Sequence, residues 1–266
     1  MRTKLVLMLV APALLLAGCA KAKDDTGEEV TDEAKVASLK QSISDQTKEI
    51  KDIQFHFQTE SEHFDEDLNQ SVKTTTEYVY NKNEAGEIYL TASAKGEDGA
   101  TTKTDFYLVK NETYELVAYI DTVSDDEHNI SAMGYKGNED NFVNSVMIFY
   151  SFPESYYQMF VDPNKTEEFL PIKEENGYKI SEKYYSRGEG NLTVKINYEW
   201  IGESSSSAEE KAVRGEYLIQ YDGGFFQSAE VNMVSDKGSH STNELSLTLM
   251  ENLTFTLPDG WESFIQ

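Results

Sequence analysis

The run Leu192-Thr193-Val194-Lys195-Ile196-Asn197-Tyr198-Glu199-Trp200 decides the fold class. In an extended chain Leu192, Val194, Ile196, Tyr198 and Trp200 fall on one side, and Thr193, Lys195, Asn197 and Glu199 on the other. A strand of this kind covers something apolar with one face and meets water with the other, as in antiparallel sheets.

The same period extends in both directions. Downstream, Ser204 to Ser207 mark a loose loop, and Tyr217-Leu218-Ile219-Gln220-Tyr221 runs into Asp222-Gly223-Gly224, a hairpin signal, with Phe225 to Val234 returning. Leu245, Leu247 and Leu249, then Leu253, Phe255 and Leu257, predict closing strands before Pro258-Asp259-Gly260. Upstream, Ile53, Phe55 and Phe57 alternate with Gln54, His56 and Gln58; Tyr78 and Tyr80 follow, then Ile88, Leu90, Ala92 and Ala94. Phe106 to Val109 and Leu116 to Ile120 add two strands, and Glu84-Ala85-Gly86, Glu97-Asp98-Gly99 and Lys110-Asn111-Glu112 supply turns.

Two segments break the alternation. Val36, Leu39, Ile43, Ile50 and Ile53 recur at helical steps among charged residues, which predicts a helix over roughly residues 31–52 packed on its own domain. From Asn138 to about Phe169 the chain is apolar without alternation: Phe142, Val146 and Phe149 fit a helical face, and Pro153 and Pro163 are expected to cut it into short pieces. The expected fold is therefore α+β and mainly antiparallel. A strongly curved open sheet, a half-barrel of about ten to twelve strands, would wrap around the N-terminal helix and the central helical insertion.

The N-terminus carries a separate message. Arg2 and Lys4 precede an uncharged run from Leu5 to Gly18 that is too short to span a bilayer, and Pro12 interrupts it. Leu16-Ala17-Gly18-Cys19 resembles the bacterial lipoprotein box. That resemblance implies removal of residues 1–18 as a signal peptide, acylation of Cys19 with chains such as palmitate, and attachment to the extracytoplasmic side of a cell membrane. Residues 19–30, small and acidic, read as a flexible tether, with residues 31–266 as one domain.

Composition narrows the partners. Cleavage would remove Arg2 and Lys4 and no acids, taking the net charge from −25 to −27. Such a surface repels nucleic acid and anionic headgroups. Cys19 is the single cysteine, so intrachain disulfides and thiol catalysis are excluded. His56, His63, His128 and His240 form no metal pair at helical spacing. Asp65-x-Asp67-x-Asn69 matches half a calcium loop, but Gln70 stands where Gly is needed and Thr76 where Glu is. No nucleophile elbow, phosphate loop or dinucleotide fingerprint occurs, so no catalytic residue, cofactor or metal is expected.

Helix, meander, mid-chain helices and closing meander over residues 31–257, behind a lipid anchor, resemble the LolA/LppX-type lipid carriers. The resemblance lies in element order rather than in a residue motif. It implies a half-barrel holding acyl chains, with Phe149, Phe152, Tyr156, Tyr157 and Phe160 lining the space between sheet and helices. The same aromatics would equally fill a solid core. The expected function is a non-catalytic, membrane-anchored envelope lipoprotein binding a lipid or other amphiphile. The alternative is an interaction module without a cavity, for a protein partner or a wall polymer; a hydrolase would need convergent titratable groups in a cleft.

Overall fold

A computed structural model describes residues 27–65, 70–125, 127–136, 139–166, 174–202 and 211–265. Among the described residues, twelve strands form one open sheet. They are β1 (Glu28–Glu29), β2 (Ile53–Asp65), β3 (Gln70–Lys82), β4 (Ile88–Lys95), β5 (Thr101–Lys110), β6 (Leu116–Ser124), β7 (His128–Tyr135), β8 (Tyr178–Ser186), β9 (Leu192–Trp200), β10 (Ala212–Asp222), β11 (Phe225–Ser235) and β12 (His240–Leu249). Helix α1 (Glu33–Thr47) precedes β2, and α2 (Glu139–Val161) links β7 to β8.

The spatial order is β1-β8-β9-β10-β11-β12-β2-β3-β4-β5-β6-β7, and the named strand pairs are antiparallel. Two sequential meanders, β2–β7 and β8–β12, are thus sewn together by the β12–β2 pair. The expected turns carry the hairpins: Gly86, Gly99, Gly223 and Gly224 adopt φ of 78°, 85°, 59° and 84°, a region open to glycine.

Register converts the alternation into rows that cross the sheet on its helix-bearing face. One row runs Leu249, Ile53, Lys82, Ile88, Leu108, Ala118. The next is Leu247, Phe55, Tyr80, Leu90, Phe106, Ile120. Then comes Leu245, Phe57, Tyr78, Ala92, Thr104, Thr122, and beyond it Asn243, Thr59, Thr76, Ala94, Thr102, Ser124. Along the strands, therefore, the face changes from aliphatic and aromatic to hydroxyl-bearing.

Helix α1 starts at Asp32, whose carboxylate accepts from the Ala34 and Lys35 N–H groups at 2.9 and 3.3 Å. It buries Val36 and Ile43, and Ile43 joins the main core. The helix ends at Thr47 rather than near residue 52, and Ile50 reaches the core from the turn that follows. Helix α2 runs unbroken through Pro153, where a break is expected from the sequence. The proline forfeits one helical hydrogen bond, at a cost of about 3 kcal/mol. Aromatic side chains on both sides of it sit on the same sheet face and hold the two halves in line.

Three further expectations are corrected. Residues 27–30 do not belong to a tether: Glu28 and Glu29 pair with Ser186 and Tyr185, the Val30 N–H donates to the Tyr184 carbonyl at 2.8 Å, and Val30 is buried. Leu253, Phe255 and Leu257 do not form a strand. Their segment crosses to the face opposite the helices, where Phe255, Leu257, Trp261 and Ile265 cover Val109, Val117, Tyr119 and Ala132. That second cluster also means the far face of β5–β7 is not uniformly polar.

Candidate functional site

The seam between α2 and the sheet holds every aromatic singled out from the sequence. The contacts follow the helix in order. Phe149 and Tyr150 stack on Phe106 of β5, with centroids 5.6 and 5.9 Å apart. Phe152 meets Phe57 and Tyr78 of β2 and β3, each at 5.4 Å. Tyr156 lies 4.6 Å from Phe57, and Tyr157 lies 5.9 Å from Phe55. Phe160, fully buried, reaches Phe226 of β11 at 6.0 Å, and its carbonyl accepts from Tyr221 Oη of β10 at 2.9 Å. The helix thus crosses from β5 to β10 over the two apolar rows and the edge of the third.

Its outer side is apolar as well. Ile148 is 73% exposed and Phe152 44%, with Met147 beside them. Glu154 is the one charged residue between positions 146 and 161. It points inward, into the apolar rows. Tyr80 Oη donates to its Oε2. Lys82 Nζ and Gln158 Nε2 donate to its Oε1 at 3.1 and 2.9 Å. Burial alone would raise the Glu154 carboxyl, but Tyr80, Lys82 and Gln158 outweigh it and hold the group below its ordinary value. Burial pushes the Tyr80 phenol far above its ordinary range, and the Glu154 carboxylate adds to this, so Tyr80 stays a donor. Burial likewise pushes Tyr157 up to about 12.

Among the described residues, clefts lie elsewhere, including these four. One of about 810 Å³ lies between α1, β1 and the β8–β9 turn, lined by Lys35, Ser38, Ser42, Arg187 and Glu189. One of about 540 Å³ lies over β8–β12, lined largely from the face opposite the helices by Lys179, Asn197, Arg214, Glu216 and Thr242. Those of about 600 and 380 Å³ are lined by residues such as Thr75, Ser93 and Lys103, and Ser61, His63 and Ser239. None of these four includes a residue of α2; Phe149, Phe152, Tyr156, Tyr157 and Phe160 make the ring contacts given above.

Cys19, Asp67 and Asn69 lie outside the described residues. Among the described residues no cluster of three His, Cys, Asp or Glu side chains could hold a metal. Three of the four histidines pair singly with carboxylates instead, His56 with Glu77 at 2.7 Å, His63 with Glu97 at 3.2 Å and His128 with Asp121 at 2.8 Å.

Tyr80, Lys82 and Glu154 are the residues sequence reasoning missed. A signal existed. Lys82 stands in phase with Tyr78 and Tyr80 on the apolar side of its strand, and Glu154 interrupts a run, residues 141–161, that is otherwise uncharged.

No protein-family profile and no curated protein matches the chain. Among solved structures it is similar to a beta-barrel-like protein of the domain of unknown function DUF1849 from Brucella abortus. That match has 8% identity, 76% of this chain and 99% of that chain covered, and a TM-score of 0.26. It is also similar to a DUF1329 family protein from Desulfovibrio piger, at 10% identity, 82% and 95% coverage and a TM-score of 0.27. Scores of this size leave function to be argued from the chain's own residues.

Proposed function

We propose that the chain is a non-catalytic envelope lipoprotein, acylated on Cys19 and facing the extracytoplasmic side of a membrane, that binds a lipid or other amphiphile between its sheet and α2. One observation carries the reading. The helix-bearing face grades along its strands from an apolar zone, covered by the α2 aromatics, to a polar zone of the Thr59, Thr76, Thr102 and Ser124 hydroxyls and the Asn243 amide. An amphiphile offers surface of both kinds: its chain can lie across the strands along the apolar rows, and the polar groups that border or interrupt those rows can meet its head.

The strand order supports a curved, half-barrel form. Ten pairings separate β8 from β7, about 48 Å if the sheet were flat. Helix α2, on the connection between them, has 23 residues and is about 34 Å long. Curling shortens the path and gives α2 a concave seat. Entry of an amphiphile requires α2 to rise. An acyl chain then replaces ring-on-ring contacts with chain-on-ring contacts, so little apolar area returns to water.

The test is native mass spectrometry on the chain from Ala20 to Gln266, purified without detergent. The expected result is an added mass that extracts into organic solvent, or one that appears after incubation with phospholipid vesicles. A bare protein mass under both conditions overturns the reading. It would favour a module that docks a protein or wall polymer on the exposed Met147, Ile148 and Phe152.

A further inference from the structure

We propose that Tyr80 and Lys82 form the headgroup seat for an acidic amphiphile, a single acyl chain ending in a carboxylate, and that Glu154 fills this seat as an internal ligand while α2 is down. The inference rests on the amphiphile reading above and names the class of ligand.

Across the two apolar rows, from β12 to β6, the polar groups are the Tyr80 hydroxyl and the Lys82 ammonium. They stand two residues apart on β3, on the same face. Each donates to a different oxygen of one carboxylate, Tyr80 to Oε2 and Lys82 to Oε1. That carboxylate belongs to α2, the element that must move for a ligand to enter. The donors are fixed to the sheet and the acceptor to the lid, which is the arrangement of an anion that can be exchanged.

Neutral heads are selected against. When α2 rises, Glu154 leaves with it, and Lys82 and Tyr80 are left in an apolar wall without a partner. An alcohol or ester returns a hydrogen bond to them but no charge. A carboxylate restores both. Long-range attraction does not bring the acid there, because the chain carries a net charge of −25 and repels anions at a distance. The selectivity is local, made by the ammonium group of Lys82, whose side chain is 33% exposed.

The test titrates the lipid-stripped chain from Ala20 to Gln266 with oleate and with oleyl alcohol, each below its aggregation concentration, by calorimetry. Oleate should bind about tenfold more tightly than the alcohol, the size of one charge-assisted hydrogen bond. Lys82→Met should abolish oleate's advantage and bring the ratio of the two affinities to about one. Lys82→Gln, which removes the charge and keeps a donor, should do the same and serves if Lys82→Met fails to fold; Glu154→Gln should tighten both ligands, because either must lift Glu154 off the seat. Equal affinity of the wild-type chain for both ligands overturns the seat while the amphiphile reading stands, as does equal weakening of both by Lys82→Met. If neither ligand binds and no lipid co-purifies, the amphiphile reading fails and the seat fails with it.

Discussion

Tyr80→Phe removes one oxygen and nothing else from the α2 seam. The ring keeps its place in the second apolar row, and no cavity opens. What is lost is the hydroxyl that donates to Glu154 Oε2. A hydrogen bond to a charged group contributes about 1.5–3 kcal/mol. Lys82 and Gln158 still hold the other oxygen, and the Glu154 side chain is 22% exposed, so water can reach the vacated position. The lower end applies, about 1.5 kcal/mol, or a fall in melting temperature of roughly 3–6 °C for a domain of this size. The pH dependence follows from the sign of the shift. The folded Glu154 carboxyl is held below its unfolded value, so its contribution is present above the unfolded value and is lost as pH falls through the folded one. Without Tyr80 the carboxyl titrates higher, and its contribution disappears sooner on acidification. Thermal unfolding of lipid-free wild type and variant, followed by circular dichroism at pH 7 and near pH 3, should show a gap at neutrality that narrows in acid. A gap below 1 °C at pH 7, or one of the same size at both pH values, would refute the claim that this oxygen stabilises an ionised Glu154.

Tyr198→Phe should raise the melting temperature by about 2–4 °C, because Tyr198 Oη is buried with no hydrogen-bond partner among the described residues; a lower melting point would mean the hydroxyl has a partner after all. Trp261→Ala should cost about 3 kcal/mol in urea unfolding, since Trp261 is 9% exposed and pins the C-terminal tail over Val117 and Tyr119. A loss under 1 kcal/mol would show that the tail rests on the sheet without holding it. Cys19→Ser should abolish labelling by a fatty-acid analogue in cells and release the protein from the membrane fraction; persistent labelling rules out acylation at Cys19.

Much of the sheet is written in single strands. The alternation at 192–200 and at 53–57 marks the faces that are buried, and the glycines at 86, 99 and 223–224 sit in turns that need positive φ. Strand order is another matter. Nothing in Leu245 or Phe57 alone states that they are partners, yet that pairing sets the rows and hence the polarity gradient. Pro153 misleads because a local cost of about 3 kcal/mol is judged against local propensity, whereas the opposing term is tertiary: Phe149, Phe152, Tyr156 and Phe160 on one surface. Leu253, Phe255 and Leu257 alternate as a strand would, but the segment is an extended cover lying on the sheet rather than within it. The candidate site was half legible. Its aromatics stand out by composition, while its Tyr80–Glu154–Lys82 cluster joins residues more than 70 positions apart.

The β12–β2 seam also sets the order of assembly. Within each meander the strands pair with their neighbours in sequence, so each can form from local hairpins soon after its own residues emerge. The seam cannot, because Leu249 must find Ile53 across nearly the whole chain. Until synthesis and export are finished, β2 remains a thirteen-residue bare edge with Ile53, Phe55 and Phe57 exposed beside it. An unpaired edge of that length templates intermolecular strand addition. Premature termination anywhere before residue 240 thus leaves a sticky half-sheet, and a chaperone that shields β2 during export would be protecting the last joint to close.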